Sequence, residues 1–408
     1  MKRIALVVPA FPKLSETFIV NKFLGLRERG WDIHMVCDQS DSGEWEKFPD
    51  LQKSAHIHRQ IHMSWPSQPR WLAALLMPWV LTWVLARNFG TTCRYLYHGW
   101  KKFGWNILRH LYFDAAFLKL RPSLVHWEFG SLAIGRMHLQ EILGCKSVVG
   151  FRGYDLNFVG LDNPGYYQEV WDKADALHLL GEDLWRRSQK RGCPQDKPHA
   201  LIPPAIDSQK FDPGERMHLA ETGTRERPLR ILSVGRLEWK KGYEFALEAL
   251  KAVVDQGINC EYRILGGGEY LEAVAYARYQ LGLDDAVQIL GPRPHDQVKE
   301  QMLWADVFLH AAVSEGFCNA VLEAQSMRLP VVCTDADGLS ENVVHGETGF
   351  VVPRRHPEAM ADKLVLLARD HALRQQMGQA GRQRVLMLFR LPDQISAFEA
   401  FYQQVLKD

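Results

Sequence analysis

Short apolar runs recur along the chain, each followed by a helix-length stretch whose apolar residues return every three or four positions. They fall at residues 4–8, 123–128, 147–151 and 176–180, then at 229–234, 261–265, 286–290, 307–310 and 331–334. Strands that alternate with amphipathic helices predict parallel sheets, because joining two parallel strands needs a crossover and the crossover covers a sheet face. The expected fold class is therefore α/β, with Rossmann-like layering. The first run follows Met1-Lys-Arg, and Pro9, Pro12 and Lys13 cut it short, so it reads as a buried first strand and not as a signal peptide.

Between residues 202 and 230 the texture changes. Pro203, Pro204, Pro213, Gly214, Gly223 and Pro228 sit there in a polar, unpatterned stretch. This predicts an N-terminal domain over 1–205 and a C-terminal domain over 206–385. Helical patterning runs from 356 to 378 and again from 394 to 406, and the tail 386–408 is expected to cross back to the first domain. At about 150 residues per domain, 408 residues suit two large domains.

The segment 53–121 stands apart. It holds ten basic residues against one acidic residue, Asp114, and six of the 13 tryptophans. Basic side chains interleaved with Trp and Tyr suit the headgroup layer of an anionic membrane, where the rings keep one wet end. Residues 71–86 are apolar, but as a helix they reach about 24 Å against a hydrocarbon core of about 30 Å. Pro78 is expected to interrupt them, so a membrane span is not expected. Ordinary helices with buried aromatics, or a groove for single-stranded nucleic acid, would also produce this composition. The chain as a whole has a net charge of +1, which gives no general reason for nucleic-acid binding. Seven scattered cysteines with no C-x-x-C pair suit a reducing cytosol and offer no zinc site.

Chemistry concentrates in the later half. Ser314 to Glu323 reads as a strand-to-helix turn carrying two carboxylates, Glu315 and Glu323, eight positions apart. In an open parallel sheet ligands bind beyond the carboxyl ends of strands, and the helix expected from Asn319 would point free amides at an anion there. Val234-Gly235-Arg236 to Lys241-Gly242 follows another strand, and its Arg236 fork and Lys241 point charge suit a diphosphate. Asp335-Ala336-Asp337 is too short a pattern to carry a metal assignment, and Gly266-Gly267-Gly268 lacks dinucleotide spacing. Phosphate-loop, zincin and serine-hydrolase motifs do not occur.

Arg236 with Lys241, the E-x7-E pair Glu315 and Glu323, and the run Gly338-Leu339-Ser340-Glu341-Asn342-Val343 to Gly346-Glu347-Thr348-Gly349-Phe350 together resemble the family 4 glycosyltransferases of the GT-B fold. More narrowly, Pro12-Lys-Leu-Ser-Glu-Thr-Phe18 resembles the bacterial exopolysaccharide members of the colanic acid and amylovoran type. The resemblance implies two Rossmann-like domains facing a deep cleft. It also implies transfer of a hexose from a nucleotide-diphosphate sugar with retention, and no metal or other cofactor. Arg236 and Lys241 would hold the diphosphate, Glu315 the donor sugar and Glu323 the ribose. The amides of Gly316, Phe317, Cys318, Asn319 and Ala320 would form the phosphate cradle, with Gly266 and Arg293 beside the nucleobase.

In the first domain the resemblance places Ser15, Glu16 and Thr17 opposite the donor. His126-Trp127-Glu128-Phe129-Gly130 resembles the family's H-x-H-F-G run, and Phe151-Arg152-Gly153-Tyr154-Asp155 its F-H-G-x-D turn. Arg152 stands where relatives carry His and cannot act as a base at neutral pH. Asp155 and Glu128 are left as candidates for positioning the acceptor hydroxyl, and Arg152 and His126 for binding. The expected acceptor is a lipid-linked oligosaccharide met in the cytoplasm at the inner face of an anionic membrane, with no nucleic-acid partner. A small soluble acceptor, a GT-B epimerase and a non-enzymatic membrane-binding module are the alternatives.

Overall fold

The computed structural model describes residues 2–13, 16–53, 56–64, 70–214 and 222–407. The chain divides into two compact units. One comprises Met1–Leu179, Leu184–Ile202 and Ile395–Asp408, and the other Leu180–Asp183 and Pro203–Gln394.

The first unit is built on seven parallel strands: β1 (Arg3–Ala10), β2 (Asp32–Gln39), β3 (Ile61–Met63), β4 (Leu124–Trp127), β5 (Lys146–Phe151), β6 (Ala176–Leu179) and β7 (His199–Leu201). Their order is β3-β2-β1-β4-β5-β6-β7. Ile4 of β1 is level with Ile33 of β2 and Leu124 of β4, and all three are fully buried. A parallel sheet covered on both faces needs such near-continuous apolar runs, which is why β1 and β4 are legible by eye.

Helix α1 (Thr17–Glu28) follows β1, and a long helix α2 (Arg70–Phe103) leads through a short turn to α3 (Ile107–Leu120). The helix continues through Pro78, contrary to expectation, and its break falls at Asn88, where φ is −148° and ψ 60°. The Asn88 side-chain amide donates to the Leu118 carbonyl of α3 at 2.7 Å, which fixes the break. The terminal helix Leu391–Val405 lends Ile395, Phe398 and Tyr402 to this unit's interior. Gly25 of α1 admits it, since a Cβ there would lie 2.7 Å from Ile395.

The second unit has six parallel strands: β8 (Leu229–Val234), β9 (Cys260–Leu265), β10 (Val287–Gly291), β11 (Val307–His310), β12 (Val331–Thr334) and β13 (Gly349–Val352). The order is β10-β9-β8-β11-β12-β13. After β8 the chain winds outward to β10, then returns to β11 on the other side. The β8/β11 pair is thus the switch point, where crevices open beyond the strand ends. Each predicted run is a strand, while β2, β3, β7 and β13 come in addition. The helix expected over 356–378 is two helices, Pro357–Arg369 and His371–Leu388. Asp370 separates them and its carboxylate caps the second by accepting from the Leu373 amide at 2.9 Å.

Candidate functional site

At the switch point of the second unit, two turns far apart in sequence lock together. Gly242, after the short turn Trp239–Lys241, has φ +64°, and a Cβ on it would stand 2.2 Å from the Ala311 carbonyl oxygen. Only glycine fits so close an approach. The Val313 amide then donates to the Lys240 carbonyl at 2.8 Å, and the Lys241 ammonium reaches the Glu315 carboxylate. His310, the last residue of β11, places Nε2 3.3 Å from the same Glu315 oxygen.

Burial opposes the charge on Glu315, but Lys241 and His310 outweigh it and hold its carboxyl down at about 2. Burial likewise opposes the charge on His310, yet Cys318 and Glu315 beside it push the imidazole up to about 9. Lys241 is raised against its own burial, with Glu315 the main cause. Lys241 and His310 thus converge on the one carboxylate of Glu315, with Cys318 beside the imidazole. Sequence reasoning missed His310, whose signal was only its place at a strand end next to the E-x7-E turn.

The turn from Ser314 to Asn319 is braced from behind. Ser314 Oγ donates to Asp337 at 2.6 Å and the Glu315 amide to the same oxygen at 3.2 Å. Arg354 ties Asp337 and the Val313 carbonyl together, each at 3.1 Å, and also pairs with Asp335. Both acids of the D-x-D pattern thus serve the turn. Asn342 accepts from the Cys318 amide and donates to the Cys318 carbonyl, both at 3.1 Å. This corrects one expectation: the Cys318 amide is occupied and is not part of a phosphate cradle. The helix Asn319–Ser326 starts directly after it, and the first-turn amides of Asn319 and Ala320 have no acceptor within that helix. Phe317 and Gly316 are partly buried in the same turn.

Glu323 is 8% exposed, and burial pushes its carboxyl up to about 7 against the pull of Lys210. Among the described residues nothing hydrogen-bonds its carboxyl group. Arg236 is 59% exposed at its side chain and pairs with Glu238 at 2.6 Å, and its charge is felt at Lys241. Gly266 lies against this turn, since a Cβ there would fall 1.8 Å from the Gly235 carbonyl oxygen. Arg293 lines a cavity of about 330 Å³ with Arg263, Gln288 and Glu300.

In the first unit the candidates gather at the carboxyl ends of β4 and β5, but not in the expected roles. Glu128 is fully buried, with one oxygen accepting from Lys22 at 2.5 Å and the other from Arg152 at 2.9 Å. Asp155 is fully buried and its two oxygens accept the amides of Ser131 and Arg152, each at 3.0 Å. Neither carboxylate is therefore open to an acceptor hydroxyl, which corrects both assignments. His126 is buried too, with Nδ1 accepting from Lys22 at 3.0 Å and lying 2.6 Å from the Tyr402 hydroxyl. Burial, with Lys22 and Arg152 nearby, holds it neutral, and it is a core residue. Lys22 and Tyr402 carried no readable signal, because their helices supply them from distant parts of the chain.

Glu16, just before α1, is partly buried. One of its oxygens pairs with Lys13 at 3.2 Å, the other is buried without a partner among the described residues, and its charge reaches Arg152. Thr17 opens α1, whereas Ser15 lies outside the described residues.

Among the described residues, three groups of His, Cys and carboxylate atoms lie close enough to hold a metal: His310 with Glu315 and Cys318, His126 with Glu128 and His178, and His110 with Asp114 and His138. In each, a lysine or arginine already pairs with the carboxylate: Lys241, then Lys22 with Arg152, then Arg136.

Residues 216–384 match the family described as Glycosyl transferases group 1. The Escherichia coli (strain K12) protein WcaL, a glycosyltransferase named for colanic acid biosynthesis, is 28% identical over 378 residues, covering 87% of each chain. The amylovoran biosynthesis glycosyltransferase AmsK of Erwinia amylovora is 28% identical over 258 residues, 61% of each. Among solved structures, a glycosyltransferase from Rickettsia africae ESF-5 superposes with a TM-score of 0.71 at 17% identity, covering 100% of this chain and 99% of that one. Anabaena Alr3699/HepE in complex with UDP and glucose gives 0.72 at 13%, covering 99% and 100%. The fold is GT-B.

Proposed function

We propose, for a chain that is a glycosyltransferase of the GT-B fold with a group 1 domain, that it moves a hexose from a nucleoside-diphosphate sugar to a hydroxyl of a lipid-linked oligosaccharide. In this reading the anomeric configuration is retained and the product belongs to a bacterial exopolysaccharide. The second unit holds the donor and the first handles the acceptor, in the cytoplasm at an anionic membrane surface.

The observation that carries the reading is the convergence of Lys241 and His310 on Glu315 at the ends of β8 and β11, beside a helix start. Fixed cations aimed at one spot suit a diphosphate whose negative charge grows as it departs. Arg236, exposed and close enough to influence Lys241, swings onto the same diphosphate. The positive charge that a divalent ion would bring is then supplied by side chains. Glu315 accepts from a hydroxyl of the donor sugar, and Glu323 from the ribose. The leaving diphosphate takes the proton of the acceptor hydroxyl on the same face of the sugar, so no protein nucleophile is required. The names of WcaL and AmsK, and the UDP and glucose in Alr3699/HepE, accord with this substrate class.

A thermal-shift screen of UDP sugars against GDP sugars identifies the donor, because a ligand bound only by the folded state raises its melting temperature. Product analysis by NMR is expected to show the donor's anomeric configuration. Full turnover by both Arg236→Ala and Lys241→Ala at saturating donor would reject the diphosphate site. An inverted product would reject retention, and transfer confined to water-soluble acceptors would reject the lipid linkage.

A further inference from the structure

Helix α2 carries an apolar outer face that, among the described residues, the rest of the first unit does not cover. On the first half of α2, Trp71 is 65% exposed, Leu75 69% and Trp79 54%. They recur every four residues, the spacing of one helix face, where a helix on a protein surface ordinarily presents polar residues. Thr82 and Ala86 extend the stripe. Beyond the break at Asn88, Phe89, Tyr97, Trp100 and Trp105 are exposed as well.

Charge selects what covers this face. From Trp71 to Phe113 there are five cations, Arg87, Arg94, Lys101, Lys102 and Arg109, and no carboxylate. All five are exposed, and of them Lys102 pairs with Glu169. Lys101 lies over the Tyr97 ring at 4.5 Å and Arg87 over Trp83 at 4.5 Å, so aromatic and cation share one level. Tryptophan next to Lys and Arg is the composition of the interface between acyl chains and anionic headgroups.

The opposite side decides the geometry of docking. Val80, Val84 and Tyr95 face inward and are fully buried. Gly99 packs so tightly on α3 that a Cβ there would lie 2.0 Å from Ile107. These contacts hold one side of the helix against the unit, so it lies along the unit's surface, although its length and composition would suffice for a span.

We infer that α2 lies in the plane of an anionic bilayer, with Trp71, Leu75 and Trp79 sunk into one leaflet and Arg87, Arg94, Lys101 and Arg109 on its phosphates. This rests on the membrane-surface reading above and deepens it: the protein is monotopic, and the first unit itself provides the anchor.

The test uses the full chain and flotation with vesicles of phosphatidylcholine, with or without phosphatidylglycerol. The wild type is expected to float with the anionic vesicles and to lose most of that binding at about 1 M salt. Each Lys or Arg at an anionic surface strengthens binding about fivefold, so reversing Arg87, Arg94 and Lys101 to Glu lowers it by at least about a hundredfold. Replacing Trp71, Leu75 and Trp79 together by Ser abolishes flotation while circular dichroism and melting stay those of the wild type. Turnover of a water-soluble acceptor analogue by this triple variant is expected to be unchanged, which separates docking from chemistry. Flotation that survives the triple variant overturns the inference, as does equal binding to neutral vesicles. A dimer seen by light scattering in the wild type and lost in the variant also overturns it, since a second copy would then cover the stripe.

Discussion

Lys241 and Glu315 stand 74 positions apart in the chain and meet as an ion pair beyond the ends of β8 and β11. Neither is more than 15% exposed at its side chain, so each depends on the other to remain charged there. Glu315→Gln is expected to lower kcat/KM for the donor by about 10²–10³-fold, the usual cost of one misplaced electrostatic contact in such a site. Steady-state kinetics at saturating acceptor checks this, and a change below about threefold would remove Glu315 from the site.

His310 gives the same cluster a pH signature. Its imidazole is raised to about 9, so its contribution to stability is complete below its ordinary value of 6.5 and is lost as pH rises through 9. Glu315, lowered to about 2, behaves oppositely: its contribution is present above 4.5 and drains as pH falls towards 2. Urea unfolding across pH 6–10 is expected to show the alkaline decline in the wild type and a flatter profile in His310→Gln. Identical profiles would mean that the imidazole is neutral.

Glu323 titrates near neutrality. Its carboxyl is raised to about 7 by burial, so the folded protein gains from the protonated form at low pH and loses that gain as pH rises from 4.5 through 7. Glu323→Gln removes this slope from the stability profile. It also weakens nucleotide binding by about tenfold, since a carboxylate accepts from a diol better than an amide does. Calorimetric titration with the nucleoside diphosphate at pH 8 measures the second effect.

Asn342 holds both backbone groups of Cys318 in a fully buried position. Asn342→Ala strands a buried amide and a buried carbonyl, and is expected to cost about 2–4 kcal/mol in urea unfolding. Because the turn ahead of the helix at Asn319 loosens, KM for the donor is expected to rise more than kcat falls.

In the first unit, Lys22→Met leaves Glu128 with Arg152 alone in a dry interior. Destabilisation of about 3 kcal/mol is expected, and Lys22→Met with Glu128→Gln together should cost less than the sum of the single changes. Additive costs would show that the two charges do not interact.

The alternation of apolar runs with amphipathic helices determined the α/β class and nine of the thirteen described strands, because a strand buried on both faces must be apolar along its whole length. Of the four described strands it did not reveal, β3 and β7 are three-residue edges and β2 carries Asp32 and His34 near its start, whereas β13 is an apolar four-residue edge, too short to stand out as a run. The E-x7-E pair and the Lys241 turn were equally legible, since their spacing is local.

What only the tertiary structure decided was which of these groups meet and which stay open to a ligand. Glu128, Asp155 and His126 read as candidate chemistry in one dimension, yet Lys22 from α1 and Tyr402 from the terminal helix seal Glu128 and His126 into the core. His310 is the opposite case: Cys318 and Glu315, eight and five positions along, raise it, and only burial in the packed turn brings their groups against its ring. Local spacing encodes local geometry, whereas desolvation and pairing are properties of the packed neighbourhood, and no position along the chain carries them alone.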